Sequence, residues 1–163
     1  MKTIRLFPLE FGRLLQNRLT WLIVLLTVIS PAAGLFLYKP ATATTMLSLY
    51  LANPAIAGGV VGGILFGLLT IFELDRVSRS RADVLMDAAV SPLTMALVRL
   101  LALLAAAVVT VALTMLVWLP ISMHLIGSVF GDLDYALAYL LLMGLALPLS
   151  ILAAAAASQF KRR

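Results

Sequence analysis

GGVVGGILFGLLTIF (58–72), followed directly by ELDRVSRSRADVLMD (73–87), is the stretch that decides the fold. The first half carries no charge and is striped with glycine. Gly59, Gly63 and Gly67 recur every fourth residue, with Gly58 and Gly62 beside them. The second half interleaves Arg76, Arg79 and Arg81 with Glu73, Asp75, Asp83 and Asp87. So abrupt a change from lipid-compatible to charged marks a helix leaving a bilayer. Small residues at four-residue spacing let two backbones approach closely in lipid, where dispersion and packing drive association. Gly59, Gly63 and Gly67 are therefore the candidate helix-packing residues. Two partners fit the spacing equally: a helix of a second chain, or a neighbour within one bundle.

The composition agrees with lipid as solvent. Of 163 residues, 63% are hydrophobic and only 12% charged, half the charge of a typical soluble domain (about 25%). The net charge of +5 would hint at nucleic acid in a soluble protein. In a membrane protein its placement matters more, and no nucleic-acid partner is expected. There is no cysteine, so disulfides, thiolate metal sites and cysteine nucleophiles are excluded. The single histidine, His124, cannot build a multi-histidine metal site, and no metal is expected.

Working outward from the glycine stripe, the chain reads as an all-α membrane protein: an interfacial amphipathic helix and four spans in one transmembrane domain (1–163). Residues 1–20 are polar but patterned. On a helix, Phe7, Phe11, Leu14 and Leu15 share one arc, and Glu10, Arg13 and Asn17 lie opposite. Arg18 falls on the apolar side, where the chain must turn into the bilayer. Residues 21–38 form the first span, with Trp21 and Tyr38 at its interfaces and a kink expected at Ser30-Pro31 and Gly34. Ala41-Thr42-Ala43 has the small-x-small form of a cleavage site, but the long amphipathic lead-in favours an uncleaved anchor. Asn53-Pro54 looks like a helix start, opening the second span at 54–72.

Residues 73–96 read as a loop outside the bilayer, broken at Ser91-Pro92. Val84, Leu85 and Met86 interrupt its polar residues, which suits a short helix lying along the membrane. The third span covers 97–119, with Arg99 snorkelling to the headgroups and Trp118 and Pro120 at the far end. Residues 121–133 form an outer connection, and 135–157 the fourth span. Eleven of the twelve basic residues, all but Lys39, then lie on one side. That skew places both termini and the 73–96 loop in the cytoplasm.

Chemistry is scarce. No ionisable residue falls near the middle of a predicted span, which argues against a proton or ion relay. No P-loop motif is present, and no catalytic set lies in a suitable place. The chain is not expected to be an enzyme and has no catalytic or cofactor-binding residues of its own.

Leu9-Glu10-Phe11-Gly12-Arg13-Leu14-Leu15 through Arg18 and Trp21, together with residues 65–99, resemble the permease subunit of an ABC-2 type transporter. Glu73 and Arg76 match the charged end of that family's second span. Arg81 through Met86, then Ser91-Pro92-Leu93, resemble its pattern of a basic residue, a polar stretch, paired apolar residues and a small-Pro turn. Ala82-Asp83 stands where the family usually has Gly-Thr, and four spans are read where it usually has six. The resemblance implies a permease, most naturally an exporter of the bacterial cytoplasmic (inner) membrane. Its partners would be cytoplasmic ABC ATPase subunits, holding ATP and Mg, and a second permease copy or homologue. It assigns ATPase contact to Glu73, Arg76, Arg81, Asp83, Leu85, Met86, Ser91 and Pro92, and an elbow at the membrane interface to Phe7, Glu10, Phe11, Arg13 and Leu14. The alternative is a small multi-span scaffold or anchor without transport activity.

Overall fold

The computed structural model describes residues 2–36, 47–79, 92–126 and 131–160. Among these, every element is helical: α1 (Lys2–Gln16), α2 (Arg18–Ile29), α3 (Pro31–Phe36), α4 (Leu47–Arg79), α5 (Pro92–Ile126) and α6 (Asp132–Phe160). Four stretches are long and apolar enough to cross a membrane: Arg18–Leu35, which runs through α2 and α3, then Leu51–Asp75, Leu93–Leu125 and Asp132–Ser158. Their outer faces are strongly apolar, with Leu116, Val108, Ile64 and Leu149 exposed. Water would not tolerate so much continuous apolar surface, and lipid does. The chain has the make-up of an integral multi-pass membrane protein.

The first span breaks at Ser30-Pro31, as its sequence predicts. Pro31 has no N–H to offer the carbonyl of Thr27, and a carbonyl left bare inside a bilayer costs several kcal/mol (about 2–7). The gap is filled locally: Ser30 Oγ donates to Thr27 O at 2.7 Å. The next carbonyl, Val28 O, accepts the indole N–H of Trp118 from α5 at 2.5 Å. Trp118, which marks the far end of the third span in the sequence, is a buried pin between α2 and α5, because the break presents an acceptor it can reach.

α4 lies at the centre. It packs most extensively on α6, and on its other side against α2 and α3. The glycine rows explain this. A β-carbon on Gly59 would come within 3.0 Å of the Leu142 carbonyl of α6, and one on Gly62 within 2.7 Å of Thr27 Cγ2 of α2. Gly63 and Gly67 continue the row against Ala146 and Ser150 with more room, at 3.7 and 3.9 Å. The facing line on α6 is also a four-residue row: Leu142, Ala146, Ser150 and Ala154 meet Gly59, Gly63 and Gly67, and Met143 and Leu147 beside them meet Gly58 and Gly62. Two such rows interlock as ridge and groove. Within the chain, Gly58 and Gly62 meet α2, α3 and α6, and Gly59, Gly63 and Gly67 meet α6.

Several boundaries differ from the sequence expectation. α4 begins at Leu47 and runs through Asn53-Pro54 rather than starting there. Tertiary packing overrides the proline. Pro54 and Ala55 are buried, and Gly34 of α3 sits so close that a β-carbon would lie 2.3 Å from the Asn53 carbonyl. At its other end α4 continues past Glu73 to Arg79, so the first part of the expected loop is helix. α5 begins at Pro92 and passes through Pro120 to Ile126, into the expected outer connection. That extension is held because Ser122 is buried and shares a 3.2 Å hydrogen bond with the Tyr139 hydroxyl. α6 starts at Asp132, before Tyr135. The Asp134 carboxylate accepts from the Gly131 N–H at 3.1 Å, and Asp134 N–H donates to Gly131 O at 2.9 Å, a reciprocal cap. Tyr38 and residues 41–43 lie outside the described residues.

Candidate functional site

The charged ends of three helices meet at one place. α1 contributes Glu10 and Arg13, the α1–α2 junction contributes Asn17, α4 contributes Glu73, and α5 contributes Arg99. Asn17 is what ends α1 and starts α2. Its backbone is extended (φ −78°, ψ 119°), and its side-chain oxygen accepts from Leu19 N–H at 3.1 Å. The same side chain's amide donates to Glu73 Oε1 at 3.0 Å. One residue thus shapes the bend and ties it to the end of the second span.

Arg13 is the hub. Its Nη2 lies 3.0 Å from Glu10 Oε2 and 3.1 Å from Glu73 Oε2. Glu10 and Glu73 are 8% and 5% exposed, so the guanidinium separates two buried carboxylates that would otherwise repel. Arg99 adds a second positive charge, its Nε 3.7 Å from Glu10 Oε2. Among the described residues, two carboxylates and two guanidiniums lie together here, and each buried carboxylate has a counter-charge within 4 Å. A void of about 10 Å³ lies among Glu10, Arg13, Glu73 and Arg99, the room of about one water.

The cluster changes the reading of α1. Its polar side faces the bundle, where Glu10 and Leu14 are buried together, while Leu9 and Leu15 are exposed. Phe7 and Phe11 stack on each other, with ring centroids 5.8 Å apart. Arg99, expected to snorkel outward, is turned inward with a side chain only 12% exposed, because Glu10 offers it a counter-charge.

Of the residues assigned to ATPase contact, Glu73 is in the cluster, Arg76 lies in the last turns of α4, and Pro92 opens α5. Arg81, Asp83, Leu85, Met86 and Ser91 lie outside the described residues. The structure therefore places the two flanks of the 80–91 segment and joins both to α1. Asn17 and Arg99 escaped the sequence reading as members of one site. The available signal was that Arg99 is the only Lys, Arg, Asp or Glu between positions 92 and 126. A lone charge within an apolar helix asks for a partner. No protein-family model, curated protein or solved structure matches the chain.

Proposed function

We propose that this chain is the transmembrane permease subunit of an ATP-driven ABC-2 type transporter, exporting its substrate across the bacterial cytoplasmic membrane. Both termini and the 80–91 segment would face the cytoplasm, where the basic residues gather. The observation that carries the reading is the Glu10–Arg13–Glu73–Arg99 cluster. It fastens the elbow helix α1 to the two helices that flank the segment assigned to the ATPase. A push on that segment would reach α4, α5 and α1 together. No side chain performs chemistry; the protein supplies helix packing with two arrangements and a lever between them. ATP and Mg belong to the partner ATPase, and a second permease copy or homologue completes the pathway.

The test is capture of the tagged full chain from native membranes. An ABC ATPase should co-purify, and Leu85→Asp with Met86→Asp should release it and stop transport. Retention of the ATPase by that double variant, with transport continuing, removes the docking assignment. If the intact chain captures no ATPase, the scaffold reading replaces the permease.

A further inference from the structure

Arg18 takes no part in the charge cluster, although Asn17 beside it does. It is exposed, and among the described residues it has no ion pair. It stands at the mouth of a groove of about 530 Å³ between α2 and α5, a size usual for a small-molecule cleft (~300–1,000 Å³). The walls below Arg18 are wholly apolar: Trp21, Leu25 and Val28 from α2, Leu113 and Val117 from α5. Trp21 and Leu25 are exposed, so the groove faces outward, towards lipid. The mouth is fixed, because the Trp21 indole donates to Leu15 O at 2.6 Å and is not free to swing away. The far end is tied to α5 too, by the Trp118 hydrogen bond to Val28 O.

We infer that this groove is a binding site for an anionic phospholipid, with the phosphate on Arg18 and one acyl chain lying along the groove. Charge and length both select that occupant. A guanidinium without an ion pair among the described residues, above an apolar trough, matches a molecule with one anionic end and a hydrocarbon remainder. From Arg18 to Val28 the helix advances about 15 Å at ~1.5 Å per residue. That equals one leaflet of hydrocarbon, half of a ~30 Å core. Trp21, at the level of the headgroup boundary, suits an interfacial aromatic. The site needs only Arg18 at the membrane surface, so it stands or falls separately from the transport proposal.

The chain has only two tryptophans, Trp21 at the mouth of the groove and Trp118 bonded to Val28 O at its far end, so its fluorescence reports on this region. The full chain is reconstituted into phosphatidylcholine vesicles containing increasing fractions of phosphatidylglycerol brominated on its acyl chains. Brominated phosphatidylcholine serves as the neutral comparison. Phosphatidylglycerol should quench with about fivefold higher relative affinity, the worth of one basic side chain near an anionic headgroup. Arg18→Gln should bring the two lipids to parity. Val117→Phe, which fills the trough, should weaken quenching by both, whereas Leu116→Phe on the open face should not. Equal quenching in the unaltered chain overturns the site. So does a preference that survives Arg18→Gln, or equal effects of the Val117 and Leu116 variants, which would mean diffuse surface attraction. Quenching by neither lipid, with Trp21 crosslinking to a second copy, would make the groove a subunit contact and likewise end the inference.

Discussion

Replacing Arg13 by Met removes the guanidinium and keeps most of the aliphatic volume, so it isolates the charge at the hub. The buried Glu10 and Glu73 would then lose ion pairs of 3.0 and 3.1 Å, while Glu73 keeps the Asn17 amide at 3.0 Å. Stripping a partner from a fully buried pair costs about 3–5 kcal/mol. Arg13 is 37% exposed, and Arg99 remains 3.7 Å from Glu10, so the loss is smaller. We expect about 2–3 kcal/mol, the low end for charge-assisted bonds partly screened by water. Glu73→Gln alone should cost about 1–2 kcal/mol, because a neutral amide still accepts from Arg13 or Asn17. The double variant is the decisive member of the set. With the second carboxylate neutral, loss of Arg13 leaves no repelling pair, so the double should fall short of the sum by about 1 kcal/mol or more. The assay is thermal unfolding of the purified full chain in one detergent, followed by tryptophan fluorescence. A loss of 2–3 kcal/mol lowers the apparent Tm by about 4–12 °C in a chain of this size. Additive effects, or a Tm unchanged by Arg13→Met, would show that α1 is not fastened through this cluster.

Gly34→Ala and Gly67→Ala should separate cleanly: the first drives a β-carbon against the Asn53 carbonyl and should abolish stable folding, while the second meets ordinary contact at 3.9 Å and should leave Tm within about 2 °C, both read by size-exclusion monodispersity and thermal unfolding. Trp118→Phe removes the indole donor to Val28 O across the break in the first span and should cost about 1–3 kcal/mol, seen as a lower Tm and faster proteolysis. Ser122→Ala and Tyr139→Phe should each cost about 0.5–1.5 kcal/mol, and the double variant no more than about the larger single, because they share one buried hydrogen bond; additive losses of Tm would refute the pairing.

Hydropathy made the spans legible, because continuous apolar length needs no tertiary information. The break at Ser30-Pro31 was legible for a similar reason: a missing N–H is a local fact. What local rules could not supply were the decisions taken by neighbours. Pro54 looks like a first helical residue until α3 is set against it, and then the helix continues through. Trp118 and Arg99 each suit an interface by residue type. Each turns inward because another helix presents a partner, Val28 O for the indole and Glu10 for the guanidinium. The surroundings of Glu10, Arg13 and Asn17 were not legible, because periodicity cannot distinguish a face turned to water from one turned to buried counter-charges. Glu10, Arg13 and Asn17 take the second course because α4 and α5 each carry a charged residue to the same level.

The two kinds of contact around α4 divide the molecule mechanically. Along its length, the Gly59 and Gly62 approaches leave backbone and branched side chains at 3.0 and 2.7 Å from where a β-carbon would sit. Such surfaces have little tolerance for rotation, since any side chain swung into the gap would collide. At its charged end the contacts are ion pairs and hydrogen bonds between side chains around a space of about one water, with the hub Arg13 37% exposed, so partners can be exchanged there without moving a backbone. On the proposed permease reading, a push from an ATPase on residues 80–91 is therefore expected to exchange partners within the Glu10, Arg13, Glu73 and Arg99 cluster before it separates α4 from α6. A disulfide engineered across the α4–α6 row should accordingly leave any movement at the charged end intact, whereas one joining α1 to α4 near Arg13 should block it. Crosslinks with the opposite effects, read by transport in the oxidised and reduced states, would place the hinge between α4 and α6 instead.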